Sequence, residues 1–386
     1  MTFILNSHNV IDYLVEQGLC KQSDKLLTTV EPVVAKNFNL LLSLPGDRQL
    51  LVKQERHNRE GKAAGEFFRE WQIQELSHRF PELNHYRQFL PEVLHFDAEN
   101  SIIVFRYLDD YRDLMDFYAQ ENSFPTEIVR VIGTILATIH RDTYNHQKYQ
   151  DFFSQKQHNL VKDRVSHLIQ RLEQIEPEIF GSVPDDGLRF FVLYQRFDSL
   201  SKAITELGNA MNPCCLTHND LKLNNILLQK DWQNSSNSIV RLIDWERSTW
   251  GDPASDLGTL ISSYVQIWLS SLVISNSLSI EESLRLAITP LELLQPSIAT
   301  LTQAYFNKFS EIVEYRPDFL LRVLQFAGFA LIQQIQAVIQ YQKSFGNIEI
   351  AMLQVAKALL CRPEQSIPTI FGSAAFELTY LSASVA

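Results

Sequence analysis

The sequence predicts an α+β chain in two parts, a small β-rich unit over residues 1–107 and a larger, mostly helical unit over 108–386. Three observations predict it. Strand-like runs flank turn residues in the first hundred positions, and apolar residues recur at helical spacing beyond Leu108. A short strand-like interruption between Cys215 and Ile243 then carries polar connections rich in Asp and Asn. At 386 residues and 45% hydrophobic side chains, the chain is long enough to bury substantial cores.

The opening MTFILNSHNVIDYLVEQ has no basic stretch and meets Asp12 early, so it reads as an amphipathic first helix and not as a signal peptide. Residues 26–55 read as three strands, with Asn37–Leu44 and Gln49–Glu55 on either side of the turn Pro45-Gly46-Asp47. Ala64–Phe80 follows as a helix, where Phe67, Trp71, Leu76 and Phe80 recur at near-helical intervals. Val93–Asp97 and Ile102–Tyr107, joined by Ala98-Glu99-Asn100, complete an expected five-stranded antiparallel sheet.

In the second part, Glu127–His140 carries an apolar stripe of Ile128, Val131, Ile132, Ile135, Leu136 and Ile139. Val161–Ile175 and Arg189–Leu207 are expected to be helical too, and core packing accounts for these stripes. The short strands are Cys215–Thr217, Ile226–Leu228 and Ile239–Ile243. Asp252-Pro253 suits an N-cap followed by the first helical position, and so starts the next helix. Leu257–Ile280 has no charge and the length of a membrane span, which needs about 20 apolar residues. Thr259, Ser262, Ser263, Gln266 and Ser270 interrupt it, so a buried core helix is expected and no membrane span. Beyond Leu291 the periodicity stays helical, for example at Leu321, Leu324 and Phe326, and Phe371–Ala386 reads as loosely held.

The formal net charge of −11 argues against a nucleic-acid surface, which rests on many Lys and Arg at phosphates. Cys20, Cys214, Cys215 and Cys361 show no metal-ligand spacing, and a reducing cytoplasm fits them. Nothing in the sequence speaks to oligomeric state.

Chemistry concentrates in Thr217-His218-Asn219-Asp220-Leu221-Lys222-Leu223-Asn224-Asn225. Phosphoryl transfer needs a carboxylate to take the acceptor hydroxyl's proton and oxygen ligands to hold Mg²⁺ against phosphates. Asp220 suits the first task. Asn225, where the loop re-enters a strand, offers an uncharged amide oxygen, and Asp244 ends the apolar strand of Leu242-Ile243-Asp244-Trp245-Glu246 as the principal metal ligand. Glu246 is a second or outer ligand. His218 offers an imidazole that could serve as a general base.

HNDLKLNN fits the pattern H-x-D-x-x-x-x-N, and IDWERSTWGDPASDL is similar to a segment of aminoglycoside phosphotransferases and choline kinases. The resemblance covers roughly residues 25–270. It implies a two-lobed protein-kinase-like fold that uses ATP and Mg²⁺ and phosphorylates a hydroxyl of a small molecule, such as an amino alcohol, a sugar or an aminoglycoside-like compound. It further implies that Lys53 contacts the nucleotide phosphates, paired with Glu70 or, in reserve, Glu66. By the same resemblance His218 braces the catalytic loop, Lys222 either touches the γ-phosphate or is solvated, and Asp256 is either a first-turn acid or a brace to that loop.

Two departures stand out. No glycine-rich loop precedes Lys53; Val34–Asn39 fills that bend, where backbone N–H groups with Lys36 or Asn37 would hold phosphates. Asp244-Trp245-Glu246 replaces Asp-Phe-Gly, and no Ala-Pro-Glu follows, which counts against a regulated protein kinase. A peptide Ser or Thr acceptor, or a catalytically silent nucleotide-binding scaffold, are the alternatives. Trp250, Tyr264 and Trp268 are either an aromatic wall for a cationic acceptor or core.

Overall fold

The computed structural model describes residues 3–57, 63–154, 185–235, 238–275 and 277–383; the helix expected at Val161–Ile175 lies outside them. The chain divides into two compact units, Met1–Gln120 with Asn224–Ser248, and Glu121–Leu223 with Thr249–Ala386. The segment 224–248, deep in the helical half by sequence, thus groups with the first unit.

In the first unit, β1 (Thr29–Val33), β2 (Phe38–Leu44), β3 (Arg48–Gln54), β4 (Val93–Asp97) and β5 (Ile102–Arg106) form one sheet in the order β1-β2-β3-β5-β4. All pairs are antiparallel. The β2–β3 hairpin turns where Gly46 and Asp47 take left-handed backbone, at φ 76° and 55°, a conformation that glycine adopts freely and Asp tolerates.

Strand alternation sorts the two faces. Leu40, Leu42, Leu44, Leu50, Val52, Ile102 and Val104 are buried together with Val10, Ile11 and Leu14 of the first helix, Val10–Glu16. On the other face, Leu51, Ile103 and Phe105 pack with Phe67 of the helix Glu66–Arg79. Lys53 is two residues beyond Leu51 and pairs with Ile103, so it shares this second face. The helix is pinned at its start by buried Glu55, whose carboxylate accepts the Gly65 and Phe67 backbone N–H groups at 2.9 and 2.6 Å.

The remaining strands are short: β6 (Tyr111–Asp113), β7 (Cys215–Thr217), β8 (Ile226–Gln229), β9 (Val240–Leu242) and β10 (Thr249–Gly251). β6, β8 and β9 form a sheet within the first unit, and β7 pairs with β10 in the second.

The second unit is a stack of helices. Pro253–Ser270 packs on Phe319–Gln342, which packs on Asn347–Cys361, while Leu291–Lys308 packs on Thr126–Thr143. The first crossing needs Gly258, because a Cβ there would lie 2.5 Å from the Val323 carbonyl oxygen. The uncharged helix is a buried core element, as expected, but it stops at Ser270, where the Ser271 hydroxyl bonds the Trp268 carbonyl at 2.8 Å. Among the described residues one helix, Phe319–Gln342, is long and apolar enough to cross a membrane, and 61% of its most apolar window is buried inside the protein.

Two expectations are corrected. Arg189–Leu207 is two helices, Asp185–Gln195 and Asp198–Asn209, because the chain tightens at Arg196 and Phe197 and lets Phe190 and Tyr194 bury on a different stripe from Leu200, Ile204 and Leu207. The C-terminal stretch is a helix over Ala375–Ala383, held by buried Phe371 and Leu378 and by a 2.9 Å bond from Gln303 to Glu377.

Asp252 caps Pro253–Ser270 by accepting the Ala254 N–H at 3.0 Å. It also takes the Asn212 N–H at 3.0 Å and the Arg316 guanidinium at 2.6 Å, and both charged side chains are almost fully buried. Removing one partner of such a pair strands the other charge. Arg316→Met is expected to lower unfolding free energy by about 3–5 kcal/mol in urea titration; a loss below about 1 kcal/mol would show that Asp252 finds compensation elsewhere.

Candidate active site

The face of β3 that carries Lys53 looks onto the Glu66–Arg79 helix, and period and packing together gather a charged cluster there. Lys53 Nζ bonds Asp244 Oδ1 at 2.7 Å and lies 5.2 Å from the centre of the Phe105 ring. Only 13% of the Lys53 side chain is exposed, against 36% for Asp244. Burial pulls the ammonium pKa down, but Asp244, Glu70 and Glu246 outweigh it, so the pKa is raised and Lys53 is held charged.

Glu70, the expected partner of Lys53, is buried near it on the facing helix but makes no hydrogen bond to it. Its Oε2 has no hydrogen-bond partner, and the Trp245 backbone N–H serves the carboxylate. Burial pushes the Glu70 pKa up to about 7, with Lys53 opposing and the Asp244 and Glu246 charges adding to the rise. Glu66, the reserve partner, instead takes Lys36 at 2.5 Å, and Lys36 also reaches Glu246 at 3.6 Å. Burial raises the Glu246 pKa, and Glu66 adds to it. The bend residue Lys36 is therefore already engaged by carboxylates, while Asn37 Oδ1 is only 3.5 Å from the Arg56 N–H.

Asn225 and Asp244 are brought together by the β8–β9 hairpin. Ile226 pairs with Leu242, and the Ile243 N–H bonds the Asn225 carbonyl at 3.0 Å, so Asn225 enters one strand where Asp244 leaves the other. Trp245 is buried behind them, its indole N–H bonded to the Leu242 carbonyl at 2.9 Å. Asp244 takes left-handed backbone at φ 59°, a conformation that concentrates at functional positions in non-glycine residues. Among the described residues, no group of three or more His, Cys, Asp or Glu forms a metal cage. Mg²⁺ does not require one, since it keeps water and phosphate oxygens beside one or two protein ligands.

The second unit holds the loop with His218, Asp220 and Lys222. Buried Asp256, in the first turn of Pro253–Ser270, accepts the His218 N–H at 2.7 Å and the Asn219 N–H at 2.8 Å. Of its two readings, the brace is what the geometry has. Asn219, like Asp244, takes left-handed backbone at φ 59°. His218 is buried, whereas Asp220 is partly open, with Lys222 Nζ 3.6 Å from its Oδ2. Trp250, Tyr264 and Trp268 are all buried, and for them the core reading applies.

The sequence reading missed His140, whose Nε2 lies 3.3 Å from Asp256 and whose Nδ1 lies 2.8 Å from the Tyr305 hydroxyl. One signal was legible: a histidine follows the last apolar residue of the Glu127–His140 stripe, and a buried imidazole needs partners. Tyr305 and Arg316 carried no local signal.

A model of the phosphotransferase enzyme family matches residues 37–276. Among curated proteins, a 4-hydroxytryptamine kinase from Psilocybe cyanescens is 24% identical over 175 residues; the match covers 45% of this chain and 45% of that protein, less than half the length of either. Two solved structures are similar in fold. Aminoglycoside phosphotransferase APH(2'')-Ib with ADP bound has 16% identity and a TM-score of 0.50, with 92% of this chain and 99% of that one covered. The GDP and kanamycin complex of APH(2'')-IIia has 13% identity and a TM-score of 0.53, with 91% and 98% covered. The kinase-like fold expected from the motifs is the fold these structures share with the chain.

The raised pKa of Glu70 favours its protonated form, so its contribution to stability is full below pH 4.5 and is lost as pH climbs through about 7. Glu70→Gln stays neutral throughout. Without nucleotide or Mg²⁺, its urea midpoint is expected to match wild type near about pH 5 and to exceed it near about pH 8. A difference that is constant with pH, or that turns against the variant at high pH, contradicts this assignment.

Proposed function

Because this chain belongs to the phosphotransferase enzyme family, we propose that it transfers the γ-phosphoryl group of Mg²⁺–ATP to a hydroxyl group of a small molecule. The observation that carries the reading is the Lys53 ammonium bonded to Asp244 in a cluster with too few cations. Glu66, Glu70, Asp244 and Glu246 face Lys36 and Lys53, so four carboxylates against two ammonium groups leave two negative charges in excess when all are ionised. A divalent cation balances that excess, and the Asp244 carboxylate with the Asn225 amide oxygen are the hard donors that suit Mg²⁺.

Bound Mg²⁺–ATP supplies the phosphoryl group and the cation that spreads its charge. Lys53, Asn225 and Asp244 would hold that nucleotide and its cation, while Glu246 stands as an outer acid tied to Lys36. Asp220 orients the acceptor hydroxyl and takes its proton, with Lys222 Nζ 3.6 Å from its Oδ2. His218 acts through the loop backbone. Asn37 and the bend around Lys36 take the place of a glycine-rich loop.

A small acceptor is in keeping with the name of the curated relative, a 4-hydroxytryptamine kinase. A net charge of −11 is in keeping with an amine-bearing acceptor. A cytoplasmic setting agrees with four cysteines that are all unpaired thiols.

Asp220→Asn is expected to keep the thermal stabilisation by Mg²⁺–ATP while ADP formation falls by about 10² or more, as expected for a positioned proton acceptor. A panel of amino alcohols, sugars and Ser- or Thr-bearing peptides identifies the acceptor in the same assay. Turnover by Asp220→Asn comparable to wild type would remove Asp220 from this role, and transfer to peptides alone would replace the small-molecule acceptor.

A further inference from the structure

The family match ends at residue 276, yet a side chain from beyond it enters the support of the loop just described. Tyr305 belongs to the helix Leu291–Lys308. Its hydroxyl lies 2.8 Å from His140 Nδ1, and His140 Nε2 lies 3.3 Å from Asp256 Oδ2. The same carboxylate takes the His218 and Asn219 N–H groups, at 2.7 and 2.8 Å. Tyr305 and His140 have no exposure, and Asp256 and His218 have 1% each, so water does not substitute for any of these partners from bulk.

We propose that Tyr305 is a positioning residue for the loop that carries Asp220, acting through His140 and Asp256. The inference rests on reading that loop as catalytic. Hydrogen-bond directions follow from the acceptors. A carboxylate only accepts, so Nε2 of His140 carries the proton toward Asp256, and in the neutral ring Nδ1 is then the acceptor. With a neutral ring the Tyr305 hydroxyl donates to Nδ1, and with both ring nitrogens protonated it accepts from Nδ1; in either state it is the partner that Nδ1 has. Burial raises the pKa of this phenol far above its usual value, which keeps the hydroxyl protonated.

Without that hydroxyl, Nδ1 is a buried polar atom with no partner, and the imidazole gains by tilting away from Asp256 toward any other partner. Asp256 then loses the group that fixes its second oxygen edge while it holds two backbone N–H groups of the loop. The Tyr305 ring has a separate role, stacking on Phe319 at 5.7 Å between centroids. Tyr305→Phe keeps the ring and removes only the hydroxyl.

Thr302 on the same helix provides a control, because its buried hydroxyl bonds only its own helix, at the Ile298 carbonyl 2.9 Å away, and does not touch the loop. Full-length wild type, Tyr305→Phe and Thr302→Val are compared by amide hydrogen exchange without nucleotide, and by phosphate release from Mg²⁺–ATP with water as acceptor. In Tyr305→Phe the His218 and Asn219 amides are expected to exchange about fivefold or more faster, with kcat for phosphate release lowered about as much and KM for ATP unchanged. Thr302→Val is expected to leave both readouts at wild-type values. Unchanged exchange at the two amides in Tyr305→Phe, or an equal rise in Thr302→Val, overturns the proposal. If wild type neither releases phosphate nor phosphorylates any member of the acceptor panel, the phosphotransferase reading is what fails, and the exchange measurement still decides the role of Tyr305.

Discussion

Lys53 and Asp244 are 191 positions apart in the chain and meet at 2.7 Å. An ammonium this buried stays charged only if carboxylates outweigh its lost hydration, and much of the first unit is arranged around that requirement. Strand alternation turns Lys53 toward the Glu66–Arg79 helix. Glu55 pins the first turn of that helix and so sets where Glu70 stands. The β8–β9 hairpin delivers Asp244 with Asn225 beside it. Each device is ordinary protein chemistry, but together they leave an excess of negative charge and an orphaned Glu70 oxygen around one lysine. Such an arrangement is poorly satisfied by itself and well suited to a cation with an anionic ligand.

The second unit solves a different problem, holding a short polar loop still. Its means are two acids four residues apart at the start of one helix. Asp252 caps the helix and ties it to Arg316 and to the backbone ahead of β7. Asp256 reaches the loop itself. Gly258, nearly two turns beyond Asp252 and two residues beyond Asp256, lets the Phe319–Gln342 helix approach closely enough to fix this helix in place. Residues outside the span matched by the family thus enter this support, Arg316 through Asp252 and Tyr305 through His140.

What was legible in the sequence was what repeats locally. The turn at Gly46, the period-2 strands and the helical stripes carried the sheet and most helices, and the H-x-D-x-x-x-x-N and Asp-Trp-Glu runs carried the site. Less legible were choices among partners. Lys53 had two glutamates within reach along one helix, yet it bonds neither of them, because the competing acid arrives from a distant hairpin. Glu66 was a plausible partner for Lys53 until the β1–β2 bend brought Lys36 to it. The break at Arg196 and Phe197 lacks glycine or proline, since burial on two different stripes drives it. Tyr305 is one tyrosine among thirteen, and only the fold distinguishes it from its neighbours in the apolar stripe.

The most direct measurement is the Mg²⁺ dependence of ATP binding, by titration calorimetry, in wild type and in Asp244→Asn. If Asp244 is released by Lys53 to hold the cation, Mg²⁺ tightens ATP binding to wild type, and Asp244→Asn loses about tenfold or more of that gain while still binding ATP through Lys53. An identical Mg²⁺ dependence in the two proteins would mean that the carboxylate at position 244 serves only as a counter-charge to the lysine, and the metal-nucleotide assignment would fall.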